Sequence, residues 1–85
     1  MSDFKINFKK SAIKELKKLP NKEIVKLTEL IGKLAFNPRP FGCKKLKAYK
    51  NLWRIRSGNY RIIYSIEDKV LIIEILKIAD RKDVY

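Results

Sequence analysis

The apolar positions change period along the chain. Phe4-Lys5-Ile6-Asn7-Phe8 alternates apolar and polar residues, the pattern of a half-buried strand. From Ser11 the spacing lengthens. Ile13, Leu16 and Leu19 form the stripe of a short helix that ends at Leu19-Pro20, with Ser11 as its N-cap and lysines on the other face. A second helix is expected from its cap, Asn21, to the stop at Asn37-Pro38. Its buried stripe is Ile24, Leu27, Leu30, Ile31 and Leu34, and Glu23 sits in the first turn, where the helix dipole favours an anion. The link at Pro20 is short, so the two helices are expected to form an antiparallel hairpin.

A loop from Asn37 to Asn51 follows, with Pro38, Pro40, Gly42 and four lysines, Lys44, Lys45, Lys47 and Lys50. Beyond it the period is two. Leu52 to Arg56, Tyr60 to Glu67 and Val70 to Ile78 read as three strands joined by tight turns. The last is apolar at almost every position, as expected of a strand covered on much of both faces. The order β-α-α-β-β-β implies a single α+β domain over residues 1–85. It has an N-terminal strand, a helical hairpin and an antiparallel sheet with the helices on one face.

The first hairpin can be registered from its turn. Gly58-Asn59 between two strands suits a two-residue type II′ turn, with glycine at the position that needs a positive φ. Ser57 then faces Tyr60, Arg56 faces Arg61, Ile55 faces Ile62, Arg54 faces Ile63, and Trp53 faces Tyr64. Directly opposed residues share a side of a sheet. Trp53, Ile55, Ile62 and Tyr64 are therefore expected on the helix side, and Arg54, Arg56 and Arg61 together on the other. A tight turn near Asp68 would also bring Glu74 to that side, close to Arg61 or Ile63.

Composition sharpens the meaning of that arginine face. The 85 residues carry 21 Lys+Arg against 9 Asp+Glu, a formal net charge of +12, which points to an anionic partner. Sixteen of the basic residues are lysines spread along the chain, whereas three of the five arginines fall between positions 54 and 61. Arginine is suited to forked contact with phosphate. Two arginines facing each other across a ladder repel by roughly 0.2–1 kcal/mol. Discouraging sheet-to-sheet association explains one such charge, but three on one small patch point to an anion site. The loop lysines Lys44, Lys45, Lys47 and Lys50 read as contacts to a nucleic-acid backbone, or as solvated loop charge. Trp53, Tyr60 and Tyr64 read as packing residues, and Tyr49 stays open between packing and stacking.

Other chemistry is excluded by what is missing. There is no histidine, which removes imidazole acid–base catalysis and the commonest metal ligand. The single Cys43 forms no internal disulfide and no cysteine zinc site. No metal or cofactor is expected. No apolar run reaches the roughly 18 residues of a membrane span. The opening Met-Ser-Asp-Phe-Lys is unlike a secretory signal, so a cytoplasmic protein is expected.

The segment Leu52-Trp53-Arg54-Ile55-Arg56-Ser57-Gly58-Asn59-Tyr60-Arg61-Ile62-Ile63-Tyr64 resembles the signature of the RelE/ParE toxin superfamily. The ending Ile78-Ala79-Asp80-Arg81-Lys82-Asp83-Val84-Tyr85 resembles the RelE-type C-terminal motif. The likeness covers essentially the whole chain. It implies a RelE-like fold and the toxin of a type II toxin–antitoxin module, held inactive by an acidic cognate antitoxin. It further implies a metal-independent, ribosome-dependent endoribonuclease that cuts mRNA in the A site, next to ribosomal RNA, and so inhibits translation. Residue by residue, Arg54 and Arg56 match positions of catalytic basic residues, often lysines in relatives. Arg61 matches a phosphate-binding arginine, Arg81 the arginine at the leaving group, and Tyr85 the tyrosine that orients the RNA. Asp80 departs from the histidine many relatives place there. Two readings stand beside this one: a ParE-like inhibitor of DNA gyrase, and an RNA-binding module without catalysis.

Overall fold

A computed structural model describes residues 3–80. Strand β1 (Lys5–Phe8) leads into helix α1 (Lys10–Lys17) and helix α2 (Asn21–Leu34). Four strands follow: β2 (Lys44–Lys45), β3 (Leu52–Ser57), β4 (Tyr60–Glu67) and β5 (Ile72–Asp80). They form one five-stranded sheet in the order β1-β5-β4-β3-β2. The run β2 to β5 is antiparallel, as expected, and β1 joins the far edge parallel to β5. Two-residue β2 lies within the segment read as loop; it is held as an edge strand by pairing of Lys44 with Arg54 and Lys45 with Trp53.

The core lies between the helices and one side of the sheet. Leu27, Ile31 and Leu34 of α2 and Ala12 of α1 are buried with Ile55, Ile62, Tyr64, Ile66, Ile73, Ile75 and Ile78. Full burial of each large side chain contributes about 1.5–3 kcal/mol, so this side of the sheet fixes the register of every strand. The stripe of α2 is the expected one. That of α1 keeps Leu16 and Leu19 packed on the core, but Ala12 is buried where Ile13 was expected, and Ile13 lies at the exposed margin. The smaller side chain faces inward because it lets α1 approach β5 closely. Neither expected polar cap operates. Lys9 and Pro20 occupy the N-cap positions without a side-chain bond, and Ser11 and Asn21 are already helical.

The β3–β4 hairpin has the register derived from its turn, from Ser57 opposite Tyr60 to Trp53 opposite Tyr64. Gly58 has φ +58°, and among the described residues Leu71 is the only non-glycine with positive φ, so Asn59 keeps a negative one, as type II′ requires.

The β4–β5 connection differs from the tight turn expected. Glu67 pairs with Ile72, which leaves a four-residue turn from Asp68 to Leu71, the last at φ 56°. Val70 and Leu71 therefore lie outside the strand. A bulge between Ile63 and Tyr64 then shifts the β5 register, and Lys77 rather than Glu74 stands opposite Ile63. Glu74 lies opposite Ser65, four positions along β4 from Arg61, so the expected approach of Glu74 to Arg61 or Ile63 is corrected.

Candidate functional site

The sheet surface turned away from the helices is organised in cross-strand rows. One row runs Lys44, Arg54, Ile63, Lys77 across β2, β3, β4 and β5. The next contains Arg56, Arg61 and Ala79. Neighbouring strands lie about 4.8 Å apart, and rows two residues apart are about 7 Å from each other. Five cations are thus carried on two adjacent rows. Arg54 stands directly opposite Lys44, and Arg56 directly opposite Arg61. Stability alone disfavours two such like-charged pairs. Arg56 is exposed, and Arg54 and Arg61 are half-buried. Partial burial restricts where the guanidinium groups can swing and so preorganises their charge.

Neighbouring elements complete this face. β1 covers only the first half of β5, so the second half has an open edge, and α1 lies against it. Glu15 of α1 closes that edge: its Oε1 accepts the Ile78 backbone N–H at 2.9 Å, and its Oε2 lies 3.2 Å from Lys77 Nζ. On the other flank, a turn follows β2. The Leu46 N–H donates to the Leu52 carbonyl, the Tyr49 N–H to the Leu46 carbonyl, and Lys45 Nζ to the Tyr49 carbonyl at 3.3 Å. Between this turn and the sheet lies a cleft of about 450 Å³, lined by Leu46, Lys47, Ala48, Tyr49, Ile63 and Lys77.

Arg39 belongs elsewhere. Its guanidinium donates to both carboxylate oxygens of Asp68, at 2.8 and 3.3 Å, and lies 4.9 Å from the centre of the Trp53 ring. The hydrogen bond to Asp68 is the main cause that raises the Arg39 pKa above its ordinary value, and its counterpart lowers that of Asp68. Tyr64 Oη donates to the Pro38 carbonyl at 2.8 Å, and burial pushes its phenol well above the usual range. These contacts strap the segment after α2 to the edge of the core, the packing role expected for Trp53 and Tyr64.

Of the residues singled out from sequence, the sheet brings Arg54, Arg56 and Arg61 together on one face, as derived. Among the four loop lysines, Lys44 joins that face, Lys47 lines the cleft, Lys45 lies opposite Trp53 and supports the turn, and Lys50 is exposed beside it. Arg81 and Tyr85 lie outside the described residues. Lys77 was missed. Its signal was the phase slip in Ile73-Glu74-Ile75-Leu76-Lys77-Ile78, where the core positions change from odd to even as a bulged strand requires. Among the described residues no three histidine, cysteine or acidic side chains converge as metal ligands, and no helix is long and apolar enough to cross a membrane.

The chain is similar in sequence to the toxin RelE3 of Methanocaldococcus jannaschii, at 33% identity over 95% of this chain and 94% of the relative. Its fold is similar to that of an archaeal RelE–RelB complex from Pyrococcus horikoshii, at a TM-score of 0.85 and 31% identity, covering 96% of this chain and 99% of the other. The toxin–antitoxin complex RelBE2 of Mycobacterium tuberculosis superposes at 0.82 with 27% identity, over 93% of this chain and 99% of that one. A family model described as the ParE toxin of type II toxin–antitoxin systems matches residues 6–85. The family model over most of the chain and the likeness in sequence and fold together show that the chain belongs to the RelE/ParE family of toxins of type II toxin–antitoxin systems.

Proposed function

We propose that residues 1–85 act as one toxin domain that cleaves mRNA in the ribosomal A site. The observation that carries this reading is the pair of cationic rows, with Arg54 and Arg56 of β3 beside Arg61 of β4 on the face that the helices leave open.

The chemistry uses a nucleophile that RNA already holds. The 2′-hydroxyl attacks the adjacent phosphorus, forming a P–O2′ bond as the P–O5′ bond breaks. The products are a 2′,3′-cyclic phosphate and a 5′-hydroxyl. One proton leaves the 2′-oxygen and one arrives at the departing 5′-oxygen, so the step consumes no net proton. Negative charge grows on the phosphoryl oxygens in the transition state, and fixed guanidinium groups stabilise it without reorganisation. In this reading Arg61 grips the scissile phosphate and Arg54 and Arg56 hold the developing charge. Arg81 neutralises the leaving oxygen, and Tyr85 orients the RNA. Lys44, Lys45, Lys47 and Lys50 bind the backbone on either side.

Arginine keeps its proton up to about pH 12, so near neutrality it neither takes up nor gives up a proton readily. Proton transfer therefore passes through water, Tyr85 or a group of the ribosomal RNA, and the protein's own contribution is electrostatic and positional. The net charge of +12 also suits an acidic cognate antitoxin as partner. Such a partner accords with the similar structures, a RelE–RelB complex from Pyrococcus horikoshii and a toxin–antitoxin complex from Mycobacterium tuberculosis.

A second reading, inhibition of DNA gyrase, is favoured by the ParE description of the matching family model. One experiment separates the two. The protein is added to a purified translation system and mRNA 5′ ends are mapped. Cuts confined to ribosome-occupied codons, and absent from naked RNA, support cleavage in the A site. DNA breaks with purified gyrase and no mRNA cuts establish the second reading instead.

A further inference from the structure

The cleft beside the arginine rows is apolar where a surface built only for phosphate would be polar. Ile63 forms part of it, although Ile63 stands between Arg54 and Lys77 on the charged face. Leu46, Ala48 and Tyr49 line it as well. Lys77, whose ammonium is engaged by Glu15, contributes chiefly its aliphatic stem. Lys47 is left as the cation at the wall. Tyr49 is 57% exposed, yet its turn is fixed by two hydrogen bonds through its own backbone. A large aromatic ring held in the open next to a cationic surface is a stacking platform in waiting.

The geometry points to this cleft as a nucleobase pocket: it takes one unstacked base of single-stranded RNA against the Tyr49 ring while the neighbouring phosphates lie on Arg54 and Arg61. Three observations fit that occupant. At about 450 Å³ the cleft is at the small end of the roughly 300–1,000 Å³ typical of small-molecule sites, with room for a single base. Its lining is apolar on the faces and cationic at the edge, the complement of a flat base attached to an anionic backbone. It adjoins Arg54 in its own row and lies about 7 Å from Arg61, a span one extended nucleotide bridges. Stacking is tolerant of base identity but stronger for the larger ring systems. Tyr49 is thereby a specificity-determining residue, favouring purine over pyrimidine at one position of the codon. This inference rests on RNA being the substrate of the arginine face.

The test is a binding cycle that does not depend on cleavage. The probe is a short single-stranded oligoribonucleotide blocked at its 2′-oxygens by methyl groups, with a series of variants each abasic at one position. Fluorescence anisotropy at low salt measures each against the wild-type protein, Tyr49→Phe and Tyr49→Ala. Tyr49→Ala is expected to weaken the intact probe by roughly 5- to 150-fold, the worth of one stacked base. One abasic position is expected to cost the wild type the same factor and to cost Tyr49→Ala almost nothing further. Tyr49→Phe is expected to match the wild type. Additive losses in every combination overturn the pocket, even if the protein cuts mRNA on the ribosome. Coupling at one position with no ribosomal cuts leaves the pocket standing and removes the nuclease reading. Where cuts do occur, Tyr49→Ala is expected to flatten the purine preference at one codon position.

Discussion

Arg54 is the side chain at which stability and activity are expected to pull in opposite directions. It stands directly opposite Lys44 on the edge strand, a like-charged cross-strand pair. Such a pair costs roughly 0.2–1 kcal/mol. Arg54→Gln deletes the charge and keeps part of the aliphatic stem, so the half-buried packing is largely retained. The unfolding entropy of a chain of 85 residues is on the order of 180 cal/mol/K at about 2.1 cal/mol/K per residue. Removing the repulsion is then expected to raise Tm by about 1–6 °C in low salt. The gain should shrink at 1 M salt, where the screening length falls to about 3 Å. If the proposed role holds, the same variant is expected to lose a group that meets transition-state charge, an effect of order 10²–10³ on the rate of mRNA cutting. Thermal melts followed by circular dichroism and quantified mRNA cuts read the two quantities on one preparation. A variant that melts lower than the wild type and cuts at full rate would show that Arg54 serves the fold, and would refute its place in the site.

Glu15→Ala removes the acceptor of the Ile78 N–H and the partner of Lys77, and is expected to cost about 1–3 kcal/mol in urea unfolding. Glu15→Gln, whose amide oxygen still accepts, should cost clearly less; equal losses would mean that the edge contact contributes nothing. Tyr64 stays protonated in the folded chain above the pH at which an unfolded tyrosine ionises, so its contribution is present below about pH 10 and is lost as pH rises beyond it, at about 1.4 kcal/mol per unit. Tyr64→Phe should flatten that alkaline limb in equilibrium unfolding, and an unchanged limb would count against the burial argument. Asp68, whose pKa Arg39 lowers, supports the fold above the ordinary carboxylate range and ceases to as pH falls through its own lowered value. The stability difference between wild type and Asp68→Asn should therefore close in acid, and a difference that persists there would point to packing instead of charge. Arg61→Gln should leave the circular dichroism spectrum intact and abolish mRNA cuts, and full-rate cutting would remove Arg61 from the site.

Much of the candidate site was legible because a two-residue turn leaves no freedom. Once Gly58-Asn59 is read as the turn, strand alternation puts Arg54, Arg56 and Arg61 on one side and Ile55, Ile62 and Tyr64 on the other. The second hairpin was illegible for the converse reason. Its turn is four residues long, with Leu71 in a left-handed conformation that leucine rarely takes, and a bulge absorbs the mismatch. Those two features exchange Glu74 for Lys77 in the row beside Arg54. The strand at Lys44–Lys45 has no pattern of its own and exists through its neighbour.

What the amino-acid order determined by itself were local matters: two helices, the long strands, one hairpin register and a surplus of positive charge. Each follows from periodicity or turn chemistry acting over a few residues. The tertiary structure alone decided which elements became neighbours. It set β1 parallel to β5, brought Glu15 to the open edge, and folded the turn around Tyr49 against Ile63 to make a cleft. Those contacts join residues far apart in the chain. They depend on how one buried face packs against the helices, which no short window of sequence contains.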